Sequence, residues 1–326
     1  MKRFLAPERL PLLATAVVCL TLYFAAGFLF PGFFSLRVFF NFLSDNAFLG
    51  IIAVGLTFVI LSGGIDLSVG SVVGCAGIIA ATLIQHNHFH PLVAFVIVLA
   101  FGLMLGWIHG LLITRFELPP FLVTLAGLFL AKGIALWVGR DSVQIDHPFF
   151  VQLTDFKVRL PGGASLPLTS ILFLVIFTIG VIVAKQTRFG RTVYAIGGNE
   201  NSALLMGLPV RRSKTLIYVI SGGCSALGGI VYALYTSSGN AISGTGMELD
   251  AIAAVVIGGT LLSGGAGSVF GSLLGVLILG IIQTAITFQG TLSSWWTKIF
   301  IGTLLLVFIL LQKLIETTAG RSRSHS

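Results

Sequence analysis

Residues 91–113 read PLVAFVIVLAFGLMLGWIHGLLI, a run with no acid, no base and a single histidine, His109. Wound as an α-helix at 1.5 Å per residue it extends about 35 Å, more than the roughly 30 Å hydrocarbon core of a bilayer. Lipid offers no partner to an unpaired backbone group, so a run this long and this apolar predicts a membrane-crossing helix. Gly102, Gly106 and Gly110 recur every fourth residue and share one face of it. Such a face lets a second backbone approach closely, and tight packing is its plain reading. Gly70 with Gly74 and Gly271 with Gly275 repeat the spacing.

Nine more apolar runs occupy 10–30, 46–61, 68–84, 121–138, 166–184, 215–235, 251–262, 269–288 and 295–311, two of them short. Of 326 residues 56% are hydrophobic and 9% charged, where a soluble domain carries roughly 25% charge. That excludes a water-soluble enzyme and a disordered chain. The net charge of +8 does not make a nucleic-acid binder, because the bases sit between apolar runs. The first run exceeds the ~7–15-residue apolar core of a signal peptide and is expected to remain as a helix. The expectation is an all-α polytopic bundle of about ten spans, one transmembrane domain over residues 1–326. A short amphipathic helix at 35–45, bearing Arg37, Asn41 and Asp45 among aromatics, is expected to lie at the interface.

Charge sets the direction. With the N-terminus inside, the cytoplasmic bases are Lys2, Arg3, Arg9, Arg115, Lys185, Arg188, Arg191, Arg211, Arg212, Lys214, Lys313, Arg321 and Arg323, thirteen of nineteen. Only Arg37, Arg140, Lys157 and Arg159 fall outside. The positive-inside rule therefore predicts both termini in the cytoplasm, an even span count and an external loop at 139–167. Trp295 and Trp296 beside Lys298 suit an external aromatic belt.

A short sequence recurs. LSGG at 61–64, followed by SVGS at 68–71, returns as LSGG at 262–265, followed by SVFGS at 268–272. Paired glycine-interrupted apolar segments in two halves point to a transporter's central path, with ordinary tight turns as the alternative. Asp66 lies inside the first break, where it either N-caps a helix starting at Leu67 or touches substrate. Thr245 to Glu248 has the capping-box pattern, which would make Glu248 and Asp250 helix-start residues. Cys19, Cys75 and Cys224 lie far apart in apolar runs and read as fillers, and His86, His88 and His90 lack a further ligand, so no metal site is expected.

The polar stretch 185–214 holds a helix signal of its own. Asn199 suits an N-cap for residues 200–206, with Glu200 in the first turn and Gly207 and Pro209 closing it. Such a helix is a lever for a partner, or else the stretch is a basic loop on anionic headgroups. No lysine follows a glycine, so the chain has no phosphate-cradling P-loop.

Taken together, ILSGGIDLSVG at 60–70, TRFG at 187–190, YAIGGN at 194–199, ELDAIA at 248–253 and GGT at 258–260 resemble the membrane permeases of ribose-type sugar ABC importers. DNAFLG at 45–50 and GTLSSWWTK at 290–298 look most like one of the two permeases of the enterobacterial galactofuranose importer. The resemblance implies a non-catalytic, multi-pass subunit of the bacterial inner membrane, bathed in lipid and forming the path for a monosaccharide such as galactofuranose. It implies dimerisation with a second, related permease or with itself. A cytoplasmic ATP-binding subunit would carry ATP and Mg, a periplasmic sugar-binding protein would deliver substrate, and this chain would hold no cofactor and bind no nucleic acid. By the same resemblance Arg188, Gly190, Asn199, Glu200, Asn201, Ala203 and Met206 couple to the ATPase. Asn46, Thr57, Asp66, Ser68 and Glu248 are the candidates for the substrate path. The alternative from another class is an ion-coupled secondary transporter of a small polar solute, with Asp66 as its ion site.

Overall fold

A computed structural model of the full chain describes residues 10–159, 163–290, 293 and 295–323. Lys2, Arg3 and Arg9 of the expected basic N-terminus lie outside the described residues.

Every apolar run becomes a helix. In chain order these are α1 (Leu10–Leu29), α2 (Leu36–Asp45), α3 (Ala47–Leu61), α4 (Val69–Gln85), α5 (Pro91–Arg115), α6 (Pro120–Val138) and α7 (Pro148–Asp155). Then follow α8 (Leu168–Gln186), α9 (Arg188–Gly198), α10 (Glu200–Leu205), α11 (Val210–Thr236), α12 (Met247–Ile257), α13 (Val269–Gln289) and α14 (Trp295–Arg323). The fold is an all-α polytopic bundle. Among the described residues, six helices are long and apolar enough to cross a membrane alone, and a seventh crossing appears if α2 and α3, bent by 56°, count as one. The ten expected spans are an approximation for a physical reason. At 15 and 11 residues α3 and α12 reach only about 22 and 17 Å, and glycine turns rather than water end them. Fourteen of the fifteen α3 residues are buried by other helices, so α3 is apolar all round without facing lipid.

The glycine stripe of α5 turns out to be packing. A methyl at Gly102 would lie 2.5 Å from the Gly222 carbonyl oxygen of α11, and one at Gly106 would collide with the Tyr218 carbonyl. Gly74 meets the Ala241 carbonyl in the same way, and Gly275 that of Ala254. Among the described residues there are also four short strands: β1 (Val143–Gln144), β2 (Lys157–Arg159), β3 (Ser165–Pro167) and β4 (Ser238–Gly239). β1 pairs antiparallel with β4, and β2 with β3. The described residues of the stretch 139–167 thus form a small cap holding α7. The amphipathic helix at the start is α2, with the Ser35 hydroxyl accepting the Val38 N–H at 3.2 Å.

One expectation is corrected. The stretch 185–214 is not a loop with one short helix: it holds α9, α10 and the start of α11.

Candidate functional site

The first break is built by a helix ending. Gly63, at φ +78°, and Gly64 donate their N–H groups to the Ile60 and Val59 carbonyls at 2.9 and 3.0 Å, which closes α3 in a Schellman motif. The chain then runs without regular secondary structure to α4. Asp66 is 1% exposed within this link. Its Oδ1 accepts the Ser68 N–H at 2.9 Å and the Ser68 hydroxyl at 2.6 Å, while Oδ2 accepts the Ser221 hydroxyl of α11 at 2.7 Å. The expected N-cap is therefore corrected. Helix α4 begins at Val69, its N-cap position is Ser68 without a side-chain cap, and Asp66 instead closes the turn that leads into the helix. Three donors around one carboxylate provide the compensation that a buried charge needs. Nearby, the Tyr218 hydroxyl fills the space left by the missing side chain of Gly64 and has no hydrogen-bond partner.

The second break differs from the first although its sequence repeats it. Helix α12 closes at Gly259, φ +88°, whose N–H donates to the Val256 carbonyl, while Thr260 donates to the Val255 carbonyl. That Schellman end falls ahead of the second LSGG, which forms a further turn with Gly264 and Gly265 at φ +86° and +76°. The two breaks then meet. Gly265 N–H donates to the Leu61 carbonyl at 2.9 Å, and Gly264 lies against Gly63. Both breaks lie beside α9, at the end of the bundle that carries α10.

Of the five path candidates, the structure joins Asp66 with Ser68 and adds Ser221. Ser221 was missed because it stands 155 residues away in the chain. Glu248 sits one turn further along, over Gly70 of α4, with its Oε2 buried and unpartnered. The expected capping box is not formed: the N-cap position of α12 is Gly246, at φ +86°, without a side-chain cap. Asp250, in the same turn, pairs with Lys298 Nζ at 2.6 Å. Thr57 is fully buried and lies 2.7 Å from the Ser272 hydroxyl, and the Asn46 amide donates to the Phe42 carbonyl at 3.0 Å. Both serve helix contacts apart from the Asp66 group.

The coupling candidates form one assembly. Thr187 caps α9, its hydroxyl accepting the Gly190 N–H at 3.1 Å, and a methyl at Gly190 would collide with the Ala184 carbonyl. Asn199 ends α9 and starts α10, its Oδ1 accepting the Ser202 N–H at 2.8 Å. Helix α10 stops at Leu205, with Met206 as its C-cap and Gly207 at φ +75° turning the chain away. Ala203 is fully buried and packs in one cluster with Ile196 and Val210. Leu204, Leu205 and Met206 face outward at 50%, 89% and 67% exposure. Glu200 is tied to Lys214 at 2.9 Å, whereas Arg188 and Asn201 are exposed. Beside α10 lies a cleft of about 430 Å³ lined by Glu117, Pro119, Glu200, Asn201, Leu204 and Lys214. The arrangement holds polar groups and offers a docking ridge.

Residues 38–309 match the family described as branched-chain amino acid transport system / permease component. The chain is 52% identical over 306 residues to the inner membrane ABC transporter permease protein YjfF of Escherichia coli K12, covering 94% of this chain and 92% of that one. It is 36% identical over 320 residues to the fructose import permease protein FruG of Bifidobacterium longum, covering 96% and 93%. With the ribose import permease protein RbsC of Bacillus subtilis it shares 37% identity over 276 residues, 84% of each chain. A family match over most of the length and relatives aligned nearly end to end establish that the chain belongs to this permease-component family, the membrane subunits of ABC transporters.

Proposed function

We propose that the chain is the membrane permease of an ATP-driven sugar importer, with a monosaccharide, galactofuranose or a related sugar, as its cargo. The observation that carries this reading is the ridge Leu204 to Met206, held outward by a buried Ala203 and a doubly capped α10. Leaving apolar side chains in water is unfavourable, so three adjacent exposed ones outside the spans are best explained by a docked protein. In this reading that protein is the ATP-binding subunit, which hydrolyses ATP with Mg, and this chain is not itself an enzyme. The end bearing α9 and α10 is cytoplasmic, as are both termini. The cap at 139–167 faces a periplasmic sugar-binding protein, and a second related permease completes the path. Fructose and ribose import permeases among the relatives support a sugar cargo. An ion-coupled transporter is not favoured, because the relatives are ABC permeases.

The test is uptake of labelled sugars into vesicles that contain this permease, its second permease and the ATPase, with the binding protein added outside. ATP-dependent uptake of a monosaccharide supports the reading. Uptake by this chain alone under an ion gradient contradicts it.

A further inference from the structure

Helix α9 carries Arg188 and Gly190 of the coupling candidates, but its contacts reach beyond α10. It touches both glycine breaks at once. The Tyr194 hydroxyl donates to the Gly267 carbonyl in the second break at 3.0 Å. Burial pushes the Tyr194 phenol above its usual range, so it stays a donor at any physiological pH. One turn on, Gly197 has no room for a side chain: a methyl there would strike the Leu61 carbonyl of the first break and the Gly265 N–H of the second. Gly198 meets Gly265 through its backbone alone, its Cα 2.9 Å from where a methyl on Gly265 would stand, while a methyl on Gly198 itself would point into open space. These backbones meet at the point where Gly265 N–H bonds the Leu61 carbonyl.

The same C-terminal end of α9 is fastened to α10 with no free link between them. Asn199 belongs to both helices, its N–H donating to the Ala195 carbonyl at 3.1 Å and its side chain capping α10. Ile196 of α9 packs against Ala203 of α10. A push on α10 therefore moves α9 as well, because a packed interior transmits displacement rather than absorbing it.

Resting on the reading of α10 as the ATPase-docking helix, we propose that Tyr194 and Gly197 are positioning residues. They carry the displacement of α10 into both glycine breaks, so that α3–α4, with Asp66, and α12–α13 move together. The hydrogen bond of Tyr194 pulls on the second break, and the backbone contact of Gly197 presses on both. A protein that must open a path between two half-crossing pairs has to move both from one input, and α9 is placed to do so.

The test uses the complete transporter with its ATPase and binding protein, comparing the unmodified chain with Tyr194→Phe and Gly197→Ala. Tyr194→Phe keeps the ring and removes only the donor. One neutral hydrogen bond corresponds to about fivefold, so ATPase stimulation by loaded binding protein and sugar uptake are each expected to fall by about that factor. The ATPase should still co-purify in full. Hydrogen exchange separates transmission from mere stability. In the unmodified complex, ATP should change protection in both α10 and residues 258–268; in Tyr194→Phe the response at α10 should persist and that at 258–268 should weaken. Gly197→Ala should uncouple more strongly, and if it fails to fold, Tyr194→Phe decides alone. Stimulation and an exchange response at 258–268 that match the unmodified chain overturn the inference while leaving the docking reading intact. An unmodified chain that neither retains the ATPase nor responds at α10 overturns both.

Discussion

The Ser221 hydroxyl of α11 reaches Oδ2 of Asp66 at 2.7 Å, binding the first glycine break to the helix that packs closest along α5. Asp66 has no basic partner at salt-bridge distance among the described residues, so serine hydroxyls and one N–H satisfy its carboxylate. This makes the aspartate a structural clasp, and its variants are readable. Asp66→Asn keeps an oxygen for the two Ser68 donors and offers an amide to Ser221, whose hydroxyl can accept it. Transport should remain near normal. Asp66→Leu strands three buried donors at about 1–3 kcal/mol each and should sharply reduce folded yield. Loss of transport in Asp66→Asn at normal yield, measured by uptake alongside size-exclusion recovery, would show that the charge itself is used.

Ser221→Ala removes one of the three bonds while the other two remain. Stability in detergent should fall by about 1–3 kcal/mol, seen as a lower thermal midpoint, with uptake at moderate temperature preserved. An unchanged midpoint would mean that water replaces the hydroxyl and the clasp is slack.

The glycines can be sorted by space. Gly106→Ala drives a methyl into the Tyr218 carbonyl and should destabilise by about 1–3 kcal/mol. Gly133→Ala meets nothing within 4 Å and adds helix propensity of about 1 kcal/mol, so it should be neutral or stabilising. Equal thermal midpoints for the two variants would contradict the packing assigned to the α5–α11 contact.

Orientation is testable in whole cells. Ser142→Cys lies in the cap beyond α6 and should react with an impermeant maleimide, while Ser202→Cys on α10 should react only after the membrane is opened. Both positions are exposed, so burial does not confuse the result. The reverse pattern would place α10 outside and remove the docking reading with it.

The spans were legible because lipid-compatible helices must be long and uncharged, and the caps of α10 because Asn199 and Gly207 stand at the spacing of an N-cap and a C-terminal glycine. Helix α9 was hidden by its composition: Gly190, Gly197 and Gly198 weaken its propensity. Its signal was Thr187 three residues before Gly190, with Val193 and Ile196 on one buried face. The repeat misled in part. Matching LSGG segments suggest matching turns, but Gly258 and Gly259 end α12 before the second copy is reached. The capping box failed for a similar reason, since Gly246 adopts a left-handed φ that only glycine holds cheaply and so takes the cap position from Thr245. Ser221 gave no signal because its contact with Asp66 is made only by the folded bundle.

Glu200→Gln removes the 2.9 Å pair with Lys214 at the solvent-facing side of α10. Exposed pairs contribute about 0–1 kcal/mol, so uptake should change by less than about fivefold and the salt dependence of ATPase docking should weaken. A complete loss of uptake would assign Glu200 a direct contact rather than a helix-end role.

The central claim is that α10 transmits work from a docked ATPase, and Ala203→Pro tests it most directly. The Ala203 N–H donates to the Asn199 carbonyl at 3.0 Å, and proline removes that bond and distorts the helix at a local cost of about 3 kcal/mol. Helix α10 lies outside the spans, so membrane yield should be normal. The measurement is stimulation of ATP hydrolysis by sugar-loaded binding protein in the reconstituted transporter. Loss of stimulation and of uptake at normal yield is the predicted result. Stimulation and uptake equal to those of the unmodified chain would contradict the account.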